Sequence, residues 1–117
     1  MYYDAIDLDK PKDECGVFGI WGHCENPART TYFGLYALQH RGQESAGIAV
    51  TNGKAIKVHK GMGLVTEVFN DDILEKMKGT AAIGHVRYST KGTTSLANAQ
   101  PLVFRYRWGS AAFAHNG

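Results

Sequence analysis

Cysteine is scarce in this sequence: only Cys15 and Cys24 occur among 117 residues, too few for a disulfide framework. Long apolar runs are missing as well. No stretch approaches the ~18 consecutive apolar residues of a membrane-spanning helix, so no membrane partner is expected. Neither charge sign dominates: 13 Lys and Arg against 11 Asp and Glu leave a formal net charge of +2. The signs are interspersed, there is no basic stripe, and binding to nucleic acid or an anionic surface is not expected. The opening segment Met1–Glu14 is acidic and lacks the apolar centre of a secretion signal, which leaves the cytoplasm as the expected compartment. Cys15, His23, Cys24 and His40 lie near one another, but their spacing matches no common zinc pattern. They are read as structural residues, and no metal is assigned to this chain.

What is present describes an ordinary globular domain. Hydrophobic residues make up 44% and charged residues 21% of the sequence, enough apolar surface to offset chain entropy. A length of 117 residues fits one small domain. Glycine is in excess, 14 residues in all against a usual ~7%, which points to several tight backbone sites.

Apolar patterning gives an element order of strand, helix, hairpin, helix, strand, hairpin. Cys15–Trp21 alternates like a strand. Asn26 and Pro27 write a helix start. Tyr32, Leu35, Tyr36 and Gln39 share one helical face, Leu38 flanks it, and Gly42 can close the helix in a left-handed turn. Ala46–Thr51 and Lys54–Lys60 read as a hairpin around the two-residue turn Asn52-Gly53, with one face buried and one wet. A second helix runs from the cap Asn70 through Asp71 and Asp72 to Lys76 and Lys78, ending at Gly79. Thr80–Tyr88 reads as a central strand, apolar until His85. The polar loop Ser89–Gln100 ends at Pro101, and Leu102–Arg107 with Ser110–His115 forms a last hairpin around Trp108-Gly109. Hairpins imply antiparallel pairing and an α+β fold.

Four clusters could carry chemistry. Cys15 opens an apolar strand, where a cysteine is commonly a small buried hydrophobe. It also follows a polar leader. If the Glu14–Cys15 bond were cut, its own α-amino group, ordinarily titrating at about 7.7–8.0, could act as base for its thiol. Arg41, beside Gly42, fits either a solvated cation at a helix C-terminus or a group ordering the loop near a nucleophile. Arg87 leaves the end of an apolar strand next to Tyr88, Ser89 and Thr90. There it needs either an internal carboxylate or a substrate carboxylate, with Thr90 adding a hydrogen bond. Asn116-Gly117 is commonly a turn, yet a side-chain amide beside a glycine N–H is also what an oxyanion hole requires.

Read together, Cys15–Ile20 (CGVFGI), Leu38–Val50 (LQHRGQESAGIAV), Gly84–Gly92 (GHVRYSTKG), Asn98–Leu102 (NAQPL) and Ala114–Gly117 (AHNG) resemble the class II glutamine amidotransferases. The likeness covers the chain after the leader. The wording of the second and third motifs is closest to the branch that feeds ammonia to phosphoribosyl pyrophosphate in purine synthesis. A glucosamine-6-phosphate synthase-like member or a non-catalytic fragment keeping the fold are the alternatives. The resemblance implies an N-terminal-nucleophile αββα four-layer sandwich, incomplete here. Residues 1–14 become a propeptide and 15–117 the N-terminal part of the glutaminase domain, without the phosphoribosyltransferase domain. It makes Cys15 the nucleophile, Asn116 and Gly117 the oxyanion hole, and Arg87 and Thr90 the binders of the glutamine α-carboxylate, with Arg41 ordering the loops. The same resemblance gives the full-length enzyme Mg2+, in some members a 4Fe–4S cluster, and a homo-oligomeric assembly, all outside this chain. The isolated fragment is expected to be inactive.

Overall fold

A computed structural model describes residues 15–22, 25–39, 42–88 and 96–116. Residues 1–14, His23, Cys24, His40, Arg41, Thr90, Gly117 and most of the loop after Tyr88 lie outside the described residues. The elements are β1 (Gly16–Trp21), α1 (Pro27–Leu38), β2 (Gln43–Thr51), β3 (Ile56–Met62), α2 (Val65–Val68), α3 (Asp71–Lys76), β4 (Ala81–Tyr88), a 3₁₀ turn (Leu96–Asn98), β5 (Leu102–Tyr106) and β6 (Gly109–Phe113). β1, β4, β2 and β3 form a four-stranded antiparallel sheet in that spatial order, and β5 with β6 forms a two-stranded one. The fold is α+β with antiparallel sheets, compatible with an incomplete N-terminal-nucleophile sandwich.

Alternation along the strands divides the large sheet into two faces. On one, Ala46, Ile48, Val50, Ala82 and Val86 pack with Ala28 and Leu35 of α1, Val65 and Val68 of α2, and Leu74 of α3. Leu35 and Ile48 are wholly buried, each contributing about 1.5–3 kcal/mol by leaving water. Gly84 lets α1 approach, since a Cβ there would lie 2.6 Å from Thr31 Cγ2.

The opposite face carries Ser45, Gly47 and Ala49 of β2 beside His85 and Arg87 of β4. The turn at residues 96–101 settles on it. Lys60 Nζ donates to the Ala99 carbonyl at 2.7 Å, and a Cβ on Gly47 would collide with the Gln100 carbonyl oxygen. The β5–β6 hairpin continues over this face, with Ala112 lining a small apolar cavity with Ala49, Ile56 and Ile83.

Several expectations need correction. β2 is buried on both faces: Ile48 and Val50 meet the helices, and the 96–101 turn lies over Gly47 on the other side. Helix α1 starts at Asn26 and Pro27 as read, with Asn26 Oδ1 accepting from Arg29 N at 3.0 Å. It ends at Leu38 on an extended Gln39. Gly42 does take a positive φ of 93°, but beyond the helix, at the approach to β2. The buried face of α1 is Ala28, Thr31 and Leu35 with Leu38 packed alongside, while Tyr36 is exposed. Leu35 is common to the expected and observed faces and Tyr32 packs at the margin of the core, while the centre of the stripe shifts to Thr31 where α1 crosses the sheet at Gly84. The β2–β3 connection has four residues, since Thr51 pairs with Ile56; Asn52 Oδ1 accepts from both Lys54 N and Ala55 N, and this Asx turn spreads the loop. Helix α3 stops at Lys76, short of Lys78 and Gly79. Helix α2 had no counterpart in the sequence reading. The last hairpin turns through Arg107-Trp108, because Tyr106 pairs with Gly109.

Candidate active site

Antiparallel pairing of β1 with β4 sets Gly16 opposite Val86, so Cys15 stands at the end of the sheet where β4 delivers Arg87 and Tyr88. The Cys15 thiol is half-buried and points at the Tyr88 carbonyl, with Sγ 3.9 Å from the oxygen. Tyr88 itself is fixed from the other side, its hydroxyl donating to the Leu38 carbonyl at 3.3 Å.

Arg87 is half-buried on the hairpin face of β4. Its Nη1 donates to the Asn98 carbonyl at 3.3 Å, and its Nε is buried with no partner among the described residues. The ion pairs among the described residues belong to Arg29, Lys76 and Lys78. None involves Arg87, so the internal carboxylate that would explain this cation is not found there. A guanidinium held by one carbonyl keeps most of its donors for another acceptor, and a carboxylate fits that planar fork.

Two positions before Arg87, His85 is 1% exposed. Its Nε2 lies 3.1 Å from the His115 carbonyl oxygen; a carbonyl only accepts, so Nε2 carries the proton. Burial, the first cause, holds the imidazole pKa below its ordinary 6.5; the bond to His115 acts in the opposite sense, and the charges of His115 and Arg87 add to the lowering. The ring is therefore neutral near pH 7. The His115 N–H donates to Gln100 Oε1 at 2.7 Å, and Gln100 is itself buried. Asn116, next along the chain and exposed, is thus carried on a backbone tied to β4 and to the 96–101 turn.

Of the residues singled out from the sequence, Cys15, Arg87 and Asn116 are described. Cys15 and Arg87 stand at the same end of β4, and Asn116 follows a backbone tied to that strand. Arg41, Thr90 and Gly117 lie outside the described residues. Sequence reasoning gave no role to His85, Gln100 or the Asn98 carbonyl. The available signal was a histidine inside an apolar central strand, which needs a hydrogen-bond partner when buried. Among the described residues no group of three or more His, Cys, Asp or Glu converges to hold a metal, and no helix is long and apolar enough to cross a membrane.

No family model matches the chain. Individual proteins do. The chain is 55% identical over 109 residues to the amidophosphoribosyltransferase of Synechococcus elongatus, covering 93% of this chain and 22% of that protein. With the Bacillus subtilis amidophosphoribosyltransferase the identity is 59% over 106 residues, covering 90% and 22% respectively. The chain thus spans about a fifth of the length of these curated relatives. Its structure superposes on that of the Bacillus subtilis glutamine phosphoribosylpyrophosphate amidotransferase complexed with ADP and GMP, with a TM-score of 0.72 and 56% identity, covering 82% of this chain and 20% of that one. Over the stretch it spans, the chain is similar to the amidophosphoribosyltransferases in both sequence and structure.

Proposed function

We propose that this chain forms the glutamine-hydrolysing part of an amidophosphoribosyltransferase, with Cys15 as the nucleophile once residues 1–14 are removed. The observation that carries this reading is a half-buried thiol at the same end of the sheet as a cation that lacks a carboxylate partner among the described residues. The Cys15 Sγ lies 3.9 Å from the Tyr88 carbonyl oxygen, and the preceding residue, Arg87, donates to the Asn98 carbonyl. Arg87, with Thr90, binds the glutamine α-carboxylate, and Arg41 orders the neighbouring loop.

The thiol of Cys15 gives its proton to the freed α-amino group and attacks the side-chain amide carbon of glutamine. Asn116 and Gly117 donate to the oxyanion of the tetrahedral intermediate, where a single well-placed donor is worth about 3–4 kcal/mol. Collapse breaks the C–N bond, the nitrogen takes a proton and leaves as ammonia, and a thioester remains. Water then attacks the thioester and releases glutamate and the free thiol. In the whole protein, ammonia displaces pyrophosphate from phosphoribosyl pyrophosphate to give 5-phosphoribosylamine. The Mg2+ and, in some members, the 4Fe–4S cluster that the family implies are assigned to the rest of the protein, outside this chain. A cytoplasmic homo-oligomer is the corresponding assembly.

The test uses the full-length protein with glutamine and phosphoribosyl pyrophosphate. Glutamate release should vanish in Cys15→Ala, and the intact mass of active enzyme should begin at Cys15. Glutamine hydrolysis that survives Cys15→Ala contradicts the assignment.

A further inference from the structure

The backbone of His115 is held from both sides by buried side chains that are far from it in sequence. Its carbonyl accepts from His85 Nε2 at 3.1 Å, across 30 positions, and its N–H donates to Gln100 Oε1 at 2.7 Å, across 15 positions. His85 and Gln100 are 1% and 7% exposed, so the two side chains that hold this backbone are themselves fixed in the interior. The His115 carbonyl belongs to the peptide group whose N–H is that of Asn116. Holding that oxygen fixes the plane of the peptide and with it the direction in which Asn116 leaves the sheet.

The acceptor side of this arrangement is itself anchored. Gln100 lies in the turn that Lys60 Nζ holds through the Ala99 and Pro101 carbonyls, at 2.7 and 3.4 Å, and that rests on Gly47. The same turn presents the Asn98 carbonyl to Arg87. One short segment, residues 98–100, therefore touches both the cation and the backbone that carries Asn116.

We infer that His85 and Gln100 are positioning residues that clamp the His115–Asn116 peptide and so fix Asn116, the proposed oxyanion donor, relative to Arg87. The inference rests on the proposed glutaminase reading. Donors of this kind work only where the developing charge will sit, and a displacement of about 1 Å can cost on the order of 100-fold in rate. Binding of the ground-state carboxylate at Arg87 needs no such precision. The neutral imidazole suits the task, since it offers Nε2–H to a carbonyl without placing a charge beside Arg87.

Three variants of the full-length protein test this with glutamine as substrate. His85→Phe fills the space without a donor, His85→Gln restores an N–H donor, and Gln100→Leu removes the acceptor on the other side. His85→Phe and Gln100→Leu should each lower kcat for glutamate release on the order of 10- to 100-fold, with KM for glutamine unchanged within about twofold. His85→Gln should recover most of the loss. If His85→Phe does not fold, the Gln100→Leu result decides. Unchanged kcat in Gln100→Leu, a loss confined to KM, or no rescue by His85→Gln in a folded series overturns the inference. Those outcomes, with Cys15→Ala still inactive, leave the glutaminase reading standing. Wild-type protein that releases no glutamate removes that reading and the clamp together.

Discussion

Arg87 and His85 share one face of β4, and their chemistry separates them. The acceptor that Arg87 holds among the described residues is a single carbonyl. Arg87→Lys should therefore raise KM for glutamine about tenfold or more with a smaller change in kcat, because a point charge cannot reproduce a bidentate fork. Steady-state kinetics on the full-length protein check this, and an unchanged KM takes Arg87 out of the substrate site. His85 makes a different prediction. Its pKa is lowered by burial, so the unfolded chain binds a proton near pH 6.5 that the folded chain refuses. Stability is then at its full value above about pH 6.5 and declines as pH falls toward the depressed folded-state value. Urea midpoints at pH 7.5 and 5.5 should show this decline, and His85→Phe should reduce the difference between the two.

At the scale of elements, the helix starts were written in the sequence and the packing was not. Asn26 and Asn70 cap α1 and α3 as expected, accepting from Arg29 N at 3.0 Å and Ile73 N at 2.8 Å. Asn26→Ala should cost about 1 kcal/mol in chemical denaturation. Asn26→Asp, which keeps the acceptor but loses the donor to the Leu74 carbonyl, should cost less. Gly84→Ala should cost more than Asn26→Asp, about 1–3 kcal/mol, because the new methyl meets Thr31 and Leu35 of α1. Helix α2 was not legible because it is a single short turn with part of its support distant: Val65 N donates to Gln39 Oε1, 26 positions away. The site divides in the same way. Cys15, Arg87 and Asn116 stand in motifs that can be read in order. The partners of His85 and Gln100 are backbone atoms of His115, which leave no mark on local composition.

Across the whole molecule, apolar surface is unevenly covered. One face of the β5–β6 hairpin carries Phe104, Tyr106 and Phe113, exposed by 47%, 55% and 44%, with the Phe104 ring 6.0 Å from that of Phe113. Trp21 is 84% exposed at the end of β1. A contiguous aromatic patch of this kind favours association in water. The 117-residue chain alone should self-associate with rising concentration, and Phe104→Lys should weaken that. Sedimentation velocity over a concentration series checks it; a monomer at every concentration contradicts it.

The strand order β1-β4-β2-β3 also governs the sequence of events in time. β1 has β4 as its neighbour, and Cys15 reaches Tyr88 across 73 positions of chain. On a ribosome the first strand emerges with no partner and waits until nearly the whole segment has followed it. β2 and β3, joined by a four-residue loop, can pair at once, whereas the edge that β1 joins is supplied by β4. Loop closure over such a span is the slow part of assembly. The strand next to the thiol is thus made well before the strand it pairs with.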